Sequence, residues 1–240
     1  MILGTVFALV IMFCGYFCER CPEDFNPLNK QGDKKTCAAV TGLTWRQMLA
    51  SPIFWPMIAL LMCGAVSAMM ILSQAASIAQ NEIGMDAVGA AAAVSTIAFF
   101  NMAGRLVAGT LSDKVGRIGV LITGLIFSAM GLSVLMYSGQ GDYVFFYCGC
   151  ILIGISFGTF MSIYPGFTAD RFGAKHAGVN YGIMFSGFSV AGLMGPIIMQ
   201  QMLANGMNFA ACCQVGIAFC VLGLAFALVY KKMIEPKKVQ

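Results

Sequence analysis

Arg105 is the side chain in this sequence best placed for chemistry. It stands inside an apolar run, about seven residues before the run ends. At 1.5 Å per helical residue that puts it roughly 10 Å deep. A guanidinium at such depth in an apolar medium is costly, so it must face other helices or a watery cavity. Its planar fork grips a carboxylate with two parallel hydrogen bonds. Two roles follow from the residue alone: an anion-binding group, or a structural cation satisfied by a carboxylate or by carbonyls near the turn. Asn101 lies one helical turn earlier on the same face, where it orients the guanidinium, lines a cavity or simply packs. Gln74 and Ser67 form a polar stripe in the preceding apolar run, with cavity lining and packing as its two readings.

Other chemistry is sparse. Cys18, Cys21 and Cys37 have part of a zinc spacing but no evident fourth ligand and no histidine nearby. Most of the ten cysteines sit in apolar runs, where a thiol behaves as a small hydrophobe. His176 falls in a polar loop and reads as solvated. The apolar runs hold no nucleophile–base pair and no carboxylate at mid-run depth. No metal, cofactor or enzymatic activity is expected, and no basic patch interleaved with aromatics points to nucleic acid.

The elements that position Arg105 are membrane helices. The chain has 240 residues, 59% of them hydrophobic and only 10% charged, with mean hydropathy +0.83. A soluble domain carries about 25% charged residues. The apolar runs reach the ~20 residues that cross a bilayer as helix, and the ten-residue alternation of a membrane barrel is missing. The fold class expected is all-α transmembrane: a six-helix bundle preceded by one extra transmembrane helix. Residues 1–18 form that first run, which lacks the basic start of a signal peptide. Residues 19–51 are a polar linker. Residues 52–230 hold six spans, near Phe54–Ala79, Ala87–Leu111, Ile118–Tyr137, Tyr143–Thr168, Gly178–Leu203 and Phe209–Tyr230. Residues 231–240 are a basic tail. Trp45 and Trp55 flank the first of the six, as indoles do at membrane interfaces.

This layout places every Lys and Arg, fourteen in all, on or near one side. Glu82, Asp86 and Asp142 are the charges of the opposite loops. By the positive-inside rule the basic side is cytoplasmic, with the N-terminus outside and the C-terminus inside. Two polar turns on that side resemble each other, Asp113-Lys114-Val115-Gly116-Arg117 and Asp170-Arg171-Phe172-Gly173-Ala174-Lys175. Gly154-x3-Gly158 and Gly187-x3-Ala191-x3-Gly195 put small residues on single helix faces, where helices pack closely. Gly195-Pro196 is expected to break or kink its span, because proline lacks the N–H donor.

Gly109-Thr110-Leu111-Ser112-Asp113-Lys114-Val115-Gly116-Arg117 resembles the G-x-L-x-D-[RK]-x-G-[RK] signature of the major facilitator superfamily. There the signature joins the second and third helices of a six-helix half, as it does here. Tyr164 to Gly173, Asn180-Tyr181-Gly182 and Gly195-Pro196 look like the oxalate/formate antiporter family within it. The resemblance implies two six-helix halves with substrate bound between them near the midplane. This chain then corresponds to the C-terminal half plus the last helix of the N-terminal half, and an N-terminal six-helix half is a missing partner, beside membrane lipid.

The resemblance further implies that Arg105 binds an anionic substrate. Carriers of this kind place aromatics on the helix holding Phe157 and Met161: Phe157 fits, and Met161 departs. Oxalate carriers have a lysine where this chain has Phe188. A buried dianion needs two compensating charges, so Arg105 alone suits a monocarboxylate. Asp113, Lys114, Gly116 and Arg117, with Asp170 and Arg171, are expected to act in gating, Asp113 accepting from a neighbouring helix N-terminus or arginine. The expected function is secondary transport of small organic anions by antiport or symport. The alternative is a truncated, non-transporting scaffold or sensor of the same fold.

Overall fold

The computed structural model describes residues 2–17 and 42–234. The chain divides into two units, Met1–Ala39 and Val40–Gln240. The first contains helix α1, Ile2–Tyr16. Cys18, Cys21 and Cys37, most of the 19–51 linker and the end of the basic tail lie outside the described residues.

The second unit is all helix and turn among the described residues: α2 Trp45–Ala50, α3 Phe54–Leu72, α4 Ala75–Asn81, α5 Ala87–Val115, α6 Arg117–Met136, α7 Tyr143–Phe172, α8 Ala177–Ala204 and α9 Phe209–Ile234. Six of these, α3 and α5 to α9, are long and apolar enough to cross a membrane. The first expected span is two helices, α3 and α4, interrupted at Ser73-Gln74. Here the chain tightens into a single narrow turn, with the Gln74 N–H donating to the Ile71 carbonyl at 3.1 Å.

Helices α5, α7 and α9 run past their apolar stretches to Val115, Phe172 and Ile234. Hydropathy ends before the helix does, and backbone geometry decides where α5 and α7 stop. Gly116 (φ 85°) and Gly173 (φ 87°) take a left-handed conformation that only glycine adopts cheaply. Each donates its N–H to the carbonyl four residues back, Ser112 and Ala169. The two resembling turns therefore share one stop. At the other end of α5, the Asp86 carboxylate accepts from the Gly89 N–H at 2.8 Å and caps the helix.

Gly195-Pro196 does not break its span: α8 is continuous from Ala177 to Ala204. A bilayer helix tolerates proline where neighbours support the freed backbone. Here Gly195 lies so close to Met69 and Met70 of α3 that a Cβ would meet them at 2.9 and 3.1 Å. The Gly187, Ala191, Gly195 face thus packs α8 onto α3. Gly104, Gly154 and Gly158 do the same between α5 and α7, with a Cβ on Gly104 meeting the Ile155 carbonyl at 2.6 Å.

Helix α7 packs on both α5 and α6, and α3 packs on both α8 and α9. Helices α3 and α7 are the most buried of the six, α5 and α8 the least. Ser67 is fully buried against α6 rather than lining a cavity. Its hydroxyl donates to the Gly64 carbonyl at 2.9 Å and pairs with Ser128 at 3.1 Å. The polar stripe expected with Gln74 is not continuous.

Candidate functional site

Helices α5 and α8 hardly touch each other, while each packs on α7. They form the two walls of a groove whose floor is α7. Arg105 and Asn101 stand on the α5 wall. The Arg105 Nε donates to the Asn101 Oδ1 at 2.9 Å, using the one-turn spacing. The guanidinium is exposed, and its terminal nitrogens are left for other acceptors.

Backbone packing fixes the base of this arginine. A Cβ on Gly158 would overlap the Asn101 carbonyl and meet the Arg105 amide nitrogen at 3.0 Å. The Ser162 hydroxyl donates to the Arg105 carbonyl at 3.0 Å. One face of α7 therefore holds the segment from Asn101 to Arg105 by direct backbone contact. On the same helix, Pro165 has no N–H to give the Met161 carbonyl, which loses its usual intrahelical donor.

The α8 wall is aromatic. Tyr181 and Phe185 have ring centroids 5.4 Å apart, Phe185 and Phe188 are stacked at 4.8 Å, and Phe188 meets Phe157 of α7 at 6.0 Å. Tyr181, Phe185 and Phe188 are each half-buried. Helix rise puts the Arg105 and Phe188 backbones at similar depth, about 15 Å from the basic end of the bundle. Met161 lies one turn from Phe157 and packs partly into the core.

Gln74 belongs elsewhere. It starts α4 and lines a cleft of about 350 Å³ with Ser77, Asn81, Glu82 and Gln200. That cleft is at the acidic end, roughly 15 Å along the axis from Arg105.

At the basic end, Arg117 at the start of α6 pairs with Asp170 in the last turn of α7. Its Nε donates to Oδ2, and its Nη2 donates to Oδ1 at 3.3 Å. Gly166 makes room for this, since a Cβ there would collide with the guanidinium. Arg171 donates to the Tyr230 hydroxyl and lies 5.4 Å from the centre of that ring. Asp113 and Lys114 are exposed and take part in no ion pair among the described residues. His176 is half-buried beside Thr44, Trp45 and Arg46.

Nearby, the end of the linker is threaded into the bundle. The Leu43 N–H donates to the Phe172 carbonyl at 2.7 Å, and the buried Asn180 side chain donates to the Leu43 carbonyl at 2.9 Å. Sequence reasoning gave no site role to Tyr181, Phe185, Ser162, Gly166 or Tyr230. The i, i+4, i+7 spacing of Tyr181, Phe185 and Phe188 was the available signal for the aromatic wall.

Comparison with known proteins agrees with this architecture. The Major Facilitator Superfamily model matches residues 1–196. An uncharacterized MFS-type transporter of Escherichia coli K12, YhjX, is 28% identical over 194 residues, covering 80% of this chain and 46% of that protein. The aspyridones efflux protein apdF of Emericella nidulans is 32% identical over 144 residues, covering 58% of this chain and 28% of that protein. The chain spans less than half the length of either relative. With six membrane-length helices and a family match over most of its residues, the chain is a multi-pass integral membrane protein belonging to the Major Facilitator Superfamily.

Proposed function

We propose that this bundle is one half of a secondary carrier for small organic anions, monocarboxylates in particular. The observation that carries the proposal is the Arg105 guanidinium. It is braced by Asn101, backed by α7 and presented with its terminal nitrogens free on the open side of the bundle. An unpaired charge on a membrane helix is retained where it meets a ligand or a partner. A second six-helix half covering the α5–α8 side would enclose a bound carboxylate, and rocking of the halves would expose it to each side in turn.

The basic end is the cytoplasmic one in this reading, with the N-terminus outside and the C-terminus inside. The Arg117–Asp170 and Arg171–Tyr230 contacts tie α6, α7 and α9 together there, so they are the bonds a gating motion would break or keep. The kinship with oxalate/formate antiporters extends to the arginine but not to a second cation, since Phe188 offers no charge.

The test is uptake of labelled acetate, lactate and pyruvate by cells expressing the full-length protein. Arg105→Ala is expected to abolish uptake while surface-labelled protein stays at its normal level. Normal uptake by that variant would overturn the assignment.

A further inference from the structure

The start of α2 and the start of α8 meet at the basic end, among residues to which the carrier reading gives no role. Thr44, Trp45, Arg46, His176 and Val179 line a cavity of about 260 Å³ there. The corner is fixed by packing. Met48 of α2 is fully buried, and α2 packs on both α3 and α8. Just before α2, the Asn180 side chain holds the Leu43 carbonyl, and a Cβ on Gly42 would meet the Lys175 Cβ at 2.8 Å. Arg46, Lys175 and His176 are therefore gathered without carboxylates to pair them. None takes part in an ion pair among the described residues, and no carboxylate lines the cavity. Asp170 lines the neighbouring cleft with Leu43 and Gln47, but it is already bonded to Arg117.

We propose that this corner binds the headgroup of an anionic phospholipid, with its phosphate on Arg46 and His176 and an acyl chain along α8. The inference does not depend on the carrier reading. The Arg46 guanidinium lies 5.1 Å from the centre of the exposed Trp45 ring, with N–H groups to give a phosphate. Indoles favour the headgroup level of a bilayer, and cations beside a membrane helix attract anionic lipid. From Val179 an apolar stripe continues along α8 through half-buried Ile183 to exposed Val190, Leu193 and Ile197. At about 3.6 residues per turn, this stripe lies roughly opposite the Tyr181, Phe185, Phe188 row. It is thus turned away from the groove and the half that would cover it, towards lipid. A free phosphate satisfies the cations but leaves Trp45 and the stripe unused. A zwitterionic lipid covers the stripe but brings its own ammonium to a corner already rich in cations. An anionic lipid satisfies both parts.

The experiment is lipid binding to the full-length protein in detergent, read by native mass spectrometry. The probes are dioleoylphosphatidylglycerol, dioleoylphosphatidylcholine and soluble glycerophosphate. Phosphatidylglycerol is expected to bind more tightly than phosphatidylcholine. Arg46→Gln should weaken phosphatidylglycerol about fivefold, the scale of one cation beside an anionic membrane surface. Arg46→Lys should keep most of the affinity, and His176→Ala should lower it. Arg46 is exposed, so its variants are expected to fold normally. Lys232→Gln is the control: it removes an exposed cation at the same end that does not line the cavity, and should leave the affinity unchanged. Glycerophosphate should fail to displace the lipid. Equal affinity for the two lipids would overturn the proposal. So would equal losses in Arg46→Gln and Lys232→Gln, which mean diffuse surface charge rather than a site. Displacement by glycerophosphate at concentrations matching the lipid would overturn it as well, showing a site for soluble phosphates.

Discussion

Arg117 and Asp170 form a two-point ion pair that ties the first residue of α6 to the last turn of α7. Both side chains are partly exposed, at 32% and 56%. Exposed pairs contribute only about 0–1 kcal/mol to stability, so the bond is better suited to setting a conformational balance than to holding the fold. Arg117→Gln and Asp170→Asn are each expected to leave the thermal midpoint nearly unchanged but to alter the transport rate by the same factor. The double variant should change it no further, because the two residues act through one bond. Additive rate changes would mean that they act separately.

Gly166 gives an independent way to break the same bond. A methyl there collides with the tip of the Arg117 side chain, whose guanidinium supplies its three nearest atoms. A long side chain swings aside at little cost, so Gly166→Ala should fold normally. It should also reproduce the transport phenotype of Arg117→Gln, read in the same uptake assay. A wild-type rate for Gly166→Ala would separate the guanidinium position from gating.

How far the sequence foretold these features depended on whether a local rule governed them. The six spans followed from the length of apolar runs, and one-turn spacing put Asn101 beside Arg105 but left open whether it would bond the guanidinium, line a cavity or pack, as the structure decides. The helix ends did not follow, because α5 and α7 continue through charged residues until Gly116 and Gly173 stop them. Helix α2 was hidden in the polar linker, since six residues make too short a pattern. The break at Ser73-Gln74 carries neither glycine nor proline, whereas Gly195-Pro196 carries both and is continuous helix, held by its packing on α3. The partner of Arg117 was invisible for a simpler reason. Asp170 stands 53 residues away, and only the α6–α7 packing brings it near. Similarly, Ser67 reads as polar and available in the sequence, yet it is committed to Ser128 inside the bundle.

The base of the site rests on Gly158. Adding a methyl there sets it against the Asn101 carbonyl, which is helix backbone and has no easy way to yield. Gly158→Ala should force α5 away from α7, at a cost of about 1–3 kcal/mol typical of overpacking. It should also weaken carboxylate binding by displacing Arg105. Gly192→Ala is the control: nothing lies within 4 Å of its added methyl, so helix propensity alone should stabilise it by up to about 1 kcal/mol. Thermal unfolding in detergent reads both. Equal midpoints for the two variants would show that the α5–α7 approach is looser than described.

Phe188 is where the charge content of the groove is decided. Its ring packs between Phe185 and Phe157, at about the same depth as Arg105 on the opposite wall. Phe188→Lys places a second cation there, facing the first across the space a substrate would fill. Without ligand the variant buries an unpaired charge beside a like charge, and its thermal midpoint should fall. A dicarboxylate that bridges the two cations relieves this, so oxalate should raise the midpoint of Phe188→Lys in a concentration-dependent way. Oxalate should do little to the unmodified protein or to Phe188→Met, which keeps bulk without charge. If oxalate stabilises all three proteins equally, residue 188 does not face the anion, and the α8 wall must lie at a different angle to Arg105.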